Sequence, residues 1–361
     1  MRNTPLVRLH GREKSPARAK LWGKLELAMP GQMKDRVALQ AVEDAERAGL
    51  LAPGGIIIES SSGTLAEGLA RVGVVKGYRV IIITDPRLDE SSLNKLRALG
   101  AEPEIVTYYH PTGGWQQSRL ERLREFLAAN PKAYWPQQYE TSSNPGAYRD
   151  QMVNELLEAL DGRIDALVAT VGSGGSLCGT ASTLRKRIPG VRIIAVDAVG
   201  SVQFNQPNLP RLQSGHSNSI IATNIDHTVI DEVQWLSDGE AFHGCRELAR
   251  REGIYGGGSS GAAYVAASWV ASQMEPDQQV VALFPDRGDR YGTTIYSDAY
   301  LKEHGLLGIS AGASPDQIRY GVDVATHWSV AALPHGGEVP YVASDAIRSV
   351  DLMRSLKLPQ R

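Results

Sequence analysis

Two cysteines, Cys178 and Cys245, among 361 residues are too few for a disulfide framework, and they place the chain in a reducing compartment. No apolar run approaches the length of a membrane-spanning helix, and the first twenty residues alternate charges, prolines and single apolar residues where a signal peptide would carry an apolar core. Basic blocks are also missing. The 38 Lys and Arg stand against 40 Asp and Glu, a formal charge of -2 spread along the chain, which excludes nucleic acid and anionic membranes as partners. There is no His-Glu-x-x-His, and His243 and Cys245 share a helix without further ligands at metal spacing, so no metal site is expected. What these absences leave is a cytoplasmic protein that acts on small molecules. At 42% hydrophobic and 22% charged, it is long enough for two packed domains.

What is present alternates. Strand signals at Thr4 to Leu9, Ala19 to Glu26, Ile56 to Glu59, Arg79 to Thr84 and Glu104 to Val106 are interleaved with helical spacing at Val37 to Ala48, Thr64 to Val75, Ser91 to Leu99 and Trp115 to Ala129. A second series begins near Pro145: a helix from Tyr148 to Leu160, a strand from Ala166, a helix to Arg187, and a strand from Val191 to Ala198. After a polar stretch from Gly200 to Val229, Ser237 and Glu240 form a capping box, an alanine-rich helix follows Gly261, and Val280 to Leu283 is a buried strand. The reading is α/β: two three-layer parallel-sheet domains with a cleft between them. The tail beyond Ser297 has no clear periodicity apart from a final helix expected over Ser344 to Leu356.

Three glycine-punctuated polar loops follow strands, where such folds place ligands: Ser60 to Thr64, Gly172 to Ser176, and Gly256 to Gly261. Gly172-Ser173-Gly174-Gly175-Ser176 opens a helix, so its backbone N–H groups and the helix dipole suit a phosphate. Its owner stays open at this point: dinucleotide, other phosphate, or a plain turn. Asp197, ending the next strand, favours a dinucleotide, and Leu177, where Gly-x-Gly-x-x-Gly requires glycine, argues against one. Lys34 follows the Pro30-Gly31 turn at a helix start, beside Met33. Partial burial and the helix's positive end both disfavour its protonated form, and a neutral amine can form a Schiff base.

In this order and spacing, the residues from Thr4 to Tyr291 resemble the cysteine synthase and cystathionine β-synthase family of pyridoxal-phosphate enzymes, fold type II. Thr4 to Leu9 resembles the family's Thr-Pro-Leu-Val-x-Leu start. Gly31-Gln32-Met33-Lys34-Asp35-Arg36 resembles Gly-Ser-Val-Lys-Asp-Arg, which makes Lys34 the Schiff-base lysine and catalytic residue. Glu59 to Leu65 stands at the loop that takes the substrate carboxylate, implying that Ser61, Ser62, Gly63 and Thr64 bind substrate, with Gln138 facing the same group. Gly172, Ser173, Gly174, Gly175 and Ser176 match the cofactor phosphate loop, Ser259 the serine that meets the pyridine nitrogen, and Asp286 the Pro-Asp segment near the ring. Two departures stand out. Thr64 replaces the asparagine that meets the cofactor's phenolic oxygen, with Leu65 and Ala66 beside it. Ser214 to Ser219, including the substrate-facing candidates Gly215 and His216, is more polar than the family's glycine-rich loop.

The resemblance implies a larger domain from residues 1–23 and 150–296, a smaller movable domain from 24–149 that carries Lys34, and a C-terminal extension over 297–361. It further implies pyridoxal 5'-phosphate as cofactor, a small amino-acid substrate, a small nucleophile and a homodimer. The implied reaction is β-replacement on serine or an O-activated serine through an aminoacrylate. β-Elimination is the alternative, and an NAD(P)-dependent dehydrogenase is the rival from a different class.

Overall fold

The protein is described by a computed structural model covering residues 3–61, 63–111 and 114–334. Two sheets organise it. The smaller is β3 (Ile56–Ser60), β4 (Arg79–Thr84) and β5 (Glu102–Ile105), all parallel, in that order. Its isoleucines divide by the two-residue strand period: Ile57 and Ile82 face α1 (Lys34–Arg47) and α2 (Thr64–Lys76), while Ile58, Ile81 and Ile83 pack with Leu123 of α4 (Gly114–Ala129). Each fully covered side chain of this kind is worth about 1.5 to 3 kcal/mol relative to exposure.

The larger sheet has the order β1-β2-β9-β6-β7-β8-β11-β10. Its middle is parallel: β2 (Pro16–Lys24), β9 (Gln279–Leu283), β6 (Ala166–Thr170), β7 (Arg192–Ala198) and β8 (Glu232–Leu236). One face packs on α7 (Asp238–Glu252) and α8 (Gly258–Gln273), the other on α5 (Ser143–Ala159) and α6 (Gly175–Arg187). The expected three-layer domains are therefore present, but the large sheet is antiparallel towards both rims. β1 (Leu6–Gly11) returns directly into β2 through Gly11 at φ 83°, and such a short connection forces an antiparallel pair. At the other rim, β11 (Ser329–Ala332) runs antiparallel to β8, with the two-residue β10 (Asp316–Gln317) outside it. Two strands of the expected extension, β10 and β11, thus join the large sheet. The expected helix over Ser344 to Leu356 lies outside the described residues.

A buried charge cluster ties α1 to this sheet. Arg36 Nε donates to Glu26 Oε2 at 2.7 Å and its Nη2 to Glu155 Oε2, on α5, at 2.8 Å; Lys24 Nζ donates to the same Glu155 oxygen at 2.7 Å. Thr4 Oγ1 donates to Glu26 at 2.6 Å. Two cations face two anions, each hydrogen-bonded, the condition under which burying charge is tolerable. Both cysteines are buried free thiols, and loss of water pushes the Cys178 thiol up to about 12 and that of Cys245 up as well. Among the described residues, no helix is long and apolar enough to cross a membrane.

Candidate active site

A cavity of about 200 Å³ lies at the carboxyl ends of the parallel strands. Ser60, Ser61 and Gly63 reach it from the end of β3, Gly172 and Ser173 from β6, and Pro285 and Asp286 from β9. Lys34, Thr64, Gln138, Gly215, His216 and Ser259 complete the set of expected residues that meet there. Gly174, Gly175 and Ser176 stand behind the wall instead of lining it, and Ser62 lies outside the described residues.

Lys34 is the first residue of α1. Its Nζ lies 3.2 Å from Ser173 Oγ, and among the described residues no carboxylate forms an ion pair with it. Loss of water lowers the amine's pKa from 10.5 to about 8. The turn ahead of it is fixed on three sides. Gly31 N–H donates to Asp35 Oδ2 at 2.6 Å, in a space where a Cβ on Gly31 would come within 1.9 Å of Asp35 Oδ1. Met33 N–H donates to Pro285 O at 3.1 Å, and the Tyr148 hydroxyl donates to Met33 O at 3.0 Å.

The glycine loop turns from β6 into α6 through Gly174 at φ 81°. The first-turn N–H groups of a helix lack carbonyl partners, so this end presents donors to an anion. Ser173 Oγ accepts from Lys34 Nζ and, at 2.8 Å, from Asn144 Nδ2, which leaves its own hydrogen uncommitted. Asn144 also donates to Gln138 O at 2.6 Å, so one side chain couples the glycine loop to the glutamine segment. At the far end, Ser259 donates to Asp286 Oδ1 at 2.8 Å and Tyr291 to Asp286 Oδ2 at 2.7 Å, while burial raises the Asp286 pKa.

Two features escaped the sequence reading. Arg119, on the covered face of α4 with Ser118 and Leu123, lines the cavity; among the described residues its Nε and Nη1 make no hydrogen bond, and it forms an ion pair with Asp85 at 3.2 Å. Asp85 is also bound twice by Arg87, so its carboxylate is shared between two guanidiniums. The signal was there: Arg119 and Leu123 are four apart, on one helix face. Glu59, at the end of β3, is pushed up to about 7 by burial, with Trp135 Nε1 donating to it at 3.0 Å and its Oε2 unpartnered. Among the described residues, no three His, Cys, Asp or Glu side chains converge as metal ligands.

The family model for pyridoxal-phosphate dependent enzymes matches residues 1–286. The chain belongs to this family. Two curated relatives, N-(2-amino-2-carboxyethyl)-L-glutamate synthases from Ralstonia nicotianae and Cupriavidus metallidurans, are each 40% identical to the enzyme, over 299 and 306 residues; these spans cover 82% and 83% of this chain and 88% and 89% of the relatives. Among solved structures, the O-acetylserine dependent cystathionine β-synthase from Helicobacter pylori superposes with a TM-score of 0.75 at 30% identity, covering 81% of this chain and 96% of that one. The dinucleotide reading of the glycine loop falls with this result, and Asp197, its supposed ribose ligand, is fully buried and away from the cavity lining.

The enzyme's residues fit its cofactor. A part-buried amine whose pKa is lowered to about 8 faces the cavity, and Ser173 has a hydrogen to give. Gly172 leaves no side chain in the way: a Cβ there would press on Gly215 O at 3.1 Å.

Proposed function

We propose that the enzyme carries out β-replacement on serine or an O-activated serine. The observation that carries this reading is the Lys34 amine, lowered to about 8 and facing a cavity also lined by Ser61, Gly63, Thr64 and Gln138, the residues expected to take the substrate carboxylate. Bound pyridoxal phosphate supplies an electron sink for the substrate's α-carbon. Lys34 would hold the cofactor covalently and, once freed, its amine would move the α-proton. Gly172 to Ser176 would take the phosphate, Ser259, backed by Asp286, would serve the ring nitrogen, and Thr64 would offer its shorter hydroxyl in place of the family's asparagine. Ser62 belongs to the carboxylate loop by its place in the motif.

Arg119 extends the reading to the leaving group. A guanidinium that shares its carboxylate with Arg87 and has N–H groups outside any hydrogen bond suits an anionic substituent on the serine oxygen, such as phosphate. The two relatives at 40% identity are named for a product with a 2-amino-2-carboxyethyl group on the nitrogen of glutamate, which supports replacement over elimination and makes an amino acid a candidate nucleophile. In this reading residues 24–149 move as the smaller domain, and the enzyme works as a homodimer in the cytoplasm.

Serine, O-acetylserine and O-phosphoserine, added in turn to the purified enzyme, test this. At least one donor is expected to shift the visible absorbance, with product forming only once a nucleophile is added; no change with any of the three sinks the reading. Arg119→Gln is expected to raise KM for O-phosphoserine roughly 10- to 100-fold, the scale of a lost charge-assisted hydrogen bond, and to affect serine much less. Equal effects on both donors would remove Arg119 from the leaving-group site. Gly175→Ala tests the phosphate loop. The added Cβ would lie 1.9 Å from Asn144 Oδ1, so the bonds Asn144 makes to Ser173 and Gln138 must shift. Affinity for pyridoxal phosphate is expected to fall about tenfold or more, corresponding to roughly 1.4 kcal/mol; unchanged retention would place the phosphate elsewhere.

A further inference from the structure

His216 sits in the polar loop that departs from the family's glycine-rich pattern. It is 3% exposed, lines the cavity, and among the described residues neither ring nitrogen makes a hydrogen bond of good geometry, although the Ser214 backbone is near enough to act on it. The backbone holds it there: Ser217 N–H donates to Val171 O at 2.9 Å, Asn218 Nδ2 to Gly172 O at 3.2 Å, and Asn218 N–H to Ser201 Oγ at 3.0 Å. Leaving two buried ring nitrogens idle is costly, on the order of 1 to 3 kcal/mol for each unsatisfied group, unless a ligand satisfies them. Burial, with the Arg211 guanidinium, holds the imidazole down to about 4 against a smaller opposing pull from the Ser214 backbone. The ring is therefore neutral at pH 7, and one of its nitrogens carries a lone pair.

We propose that His216 accepts the proton of an amine nucleophile, the amino group of an amino acid, in the second half of the reaction. The inference rests on the β-replacement reading above. An ammonium group has no lone pair and must lose a proton before it attacks, whereas a thiol of pKa ~8.5 supplies thiolate unaided. Other bases on the cavity wall are engaged: Lys34 serves the α-carbon, and Asp286 accepts from Ser259 and Tyr291. The remaining charged groups facing the cavity from other elements, Arg119 and Arg290, are cationic. Carboxylates brought in by the substrates reverse that local field and strengthen the imidazole's hold on a proton. In the step, the ammonium gives one proton to the free ring nitrogen and the exposed lone pair forms the C–N bond at the β-carbon. The donor's C–O bond has already broken in the first half, its electron pair leaving on oxygen; Lys34 returns the proton to the α-carbon, and His216 passes its own proton to solvent.

The test compares holoenzyme with His216→Asn and His216→Gln, giving each the donor that shifts the wild-type absorbance and then either sodium sulfide or a panel of standard L-amino acids. The donor-induced shift in each variant reports folding and the first half of the reaction. The expected result is a ratio of amine to sulfide turnover reduced roughly 100-fold, within the range for loss of a general base. An unchanged ratio, or wild-type enzyme that uses sulfide and none of the amines, overturns the inference. Wild-type enzyme that answers to no donor fails the β-replacement reading instead.

Discussion

Lys34→Ala is expected to abolish the visible absorbance of the purified enzyme and to lower turnover by about 10³-fold or more. The argument is one of populations. An ordinary lysine is unprotonated in roughly one molecule in 3,000 at pH 7, whereas at a pKa of about 8 roughly one in ten carries the lone pair that attacks an aldehyde. The shift comes from loss of water, not from a charged neighbour, so it persists at high salt. Reloading of stripped wild-type enzyme with pyridoxal phosphate should therefore quicken with pH up to about 8 and then level off. Lys34→Arg keeps a cation at the position, cannot form the covalent bond and is expected to behave like the alanine variant. Full activity in either variant would overturn the assignment of Lys34.

Arg36→Met is expected to cost about 3 to 5 kcal/mol of stability, measured by urea unfolding, because it leaves Glu26 and Glu155 buried with one cation fewer. Arg36 and Lys24 hold the Glu155 carboxyl at about 2, against the desolvation that opposes them. Between that value and the ordinary carboxylate range the unfolded chain binds more protons than the folded one, so stability rises with pH there. The Glu155 contribution is thus fully present above pH ~4.5 and is lost as pH falls towards 2. The variant should show a flatter stability profile across that interval, and a loss below 1 kcal/mol would mean that the cluster relaxes or hydrates when opened.

Much of this was legible because local signals agreed with the fold. The capping box at Ser237 and Glu240 forms as read, with Ser237 N–H donating to Glu240 Oε2 at 2.9 Å, and the helix follows at once. β8 escaped because its sequence mixes Glu232 and Gln234 with Val233 and Trp235, which does not read as a buried strand. Those polar side chains are covered and satisfy one another: Gln234 donates to Glu232 at 2.8 Å and accepts from Trp328 Nε1 at 3.0 Å. The partner lies 94 residues away, beyond any window of periodicity. β11 was missed for the same reason, since its four residues become a strand only by pairing with β8. α5 begins at Ser143, earlier than its apolar spacing indicated, because Pro145 is tolerated in a first turn, where an N–H would find no intrahelical carbonyl. In the site, residues gathered by motif were readable, whereas Arg119 and the two idle nitrogens of His216 owe their significance to what surrounds them in space.

The two covered thiols have a use at the bench. Cys178 and Cys245 are buried and stay protonated at working pH, so alkylating reagents find no thiolate on the native surface. A cysteine introduced on the exposed side of α4 and another on the rim of the large sheet would be the two positions to take dye. The distance between the dyes would then report, molecule by molecule, whether the smaller sheet swings when an amino acid enters.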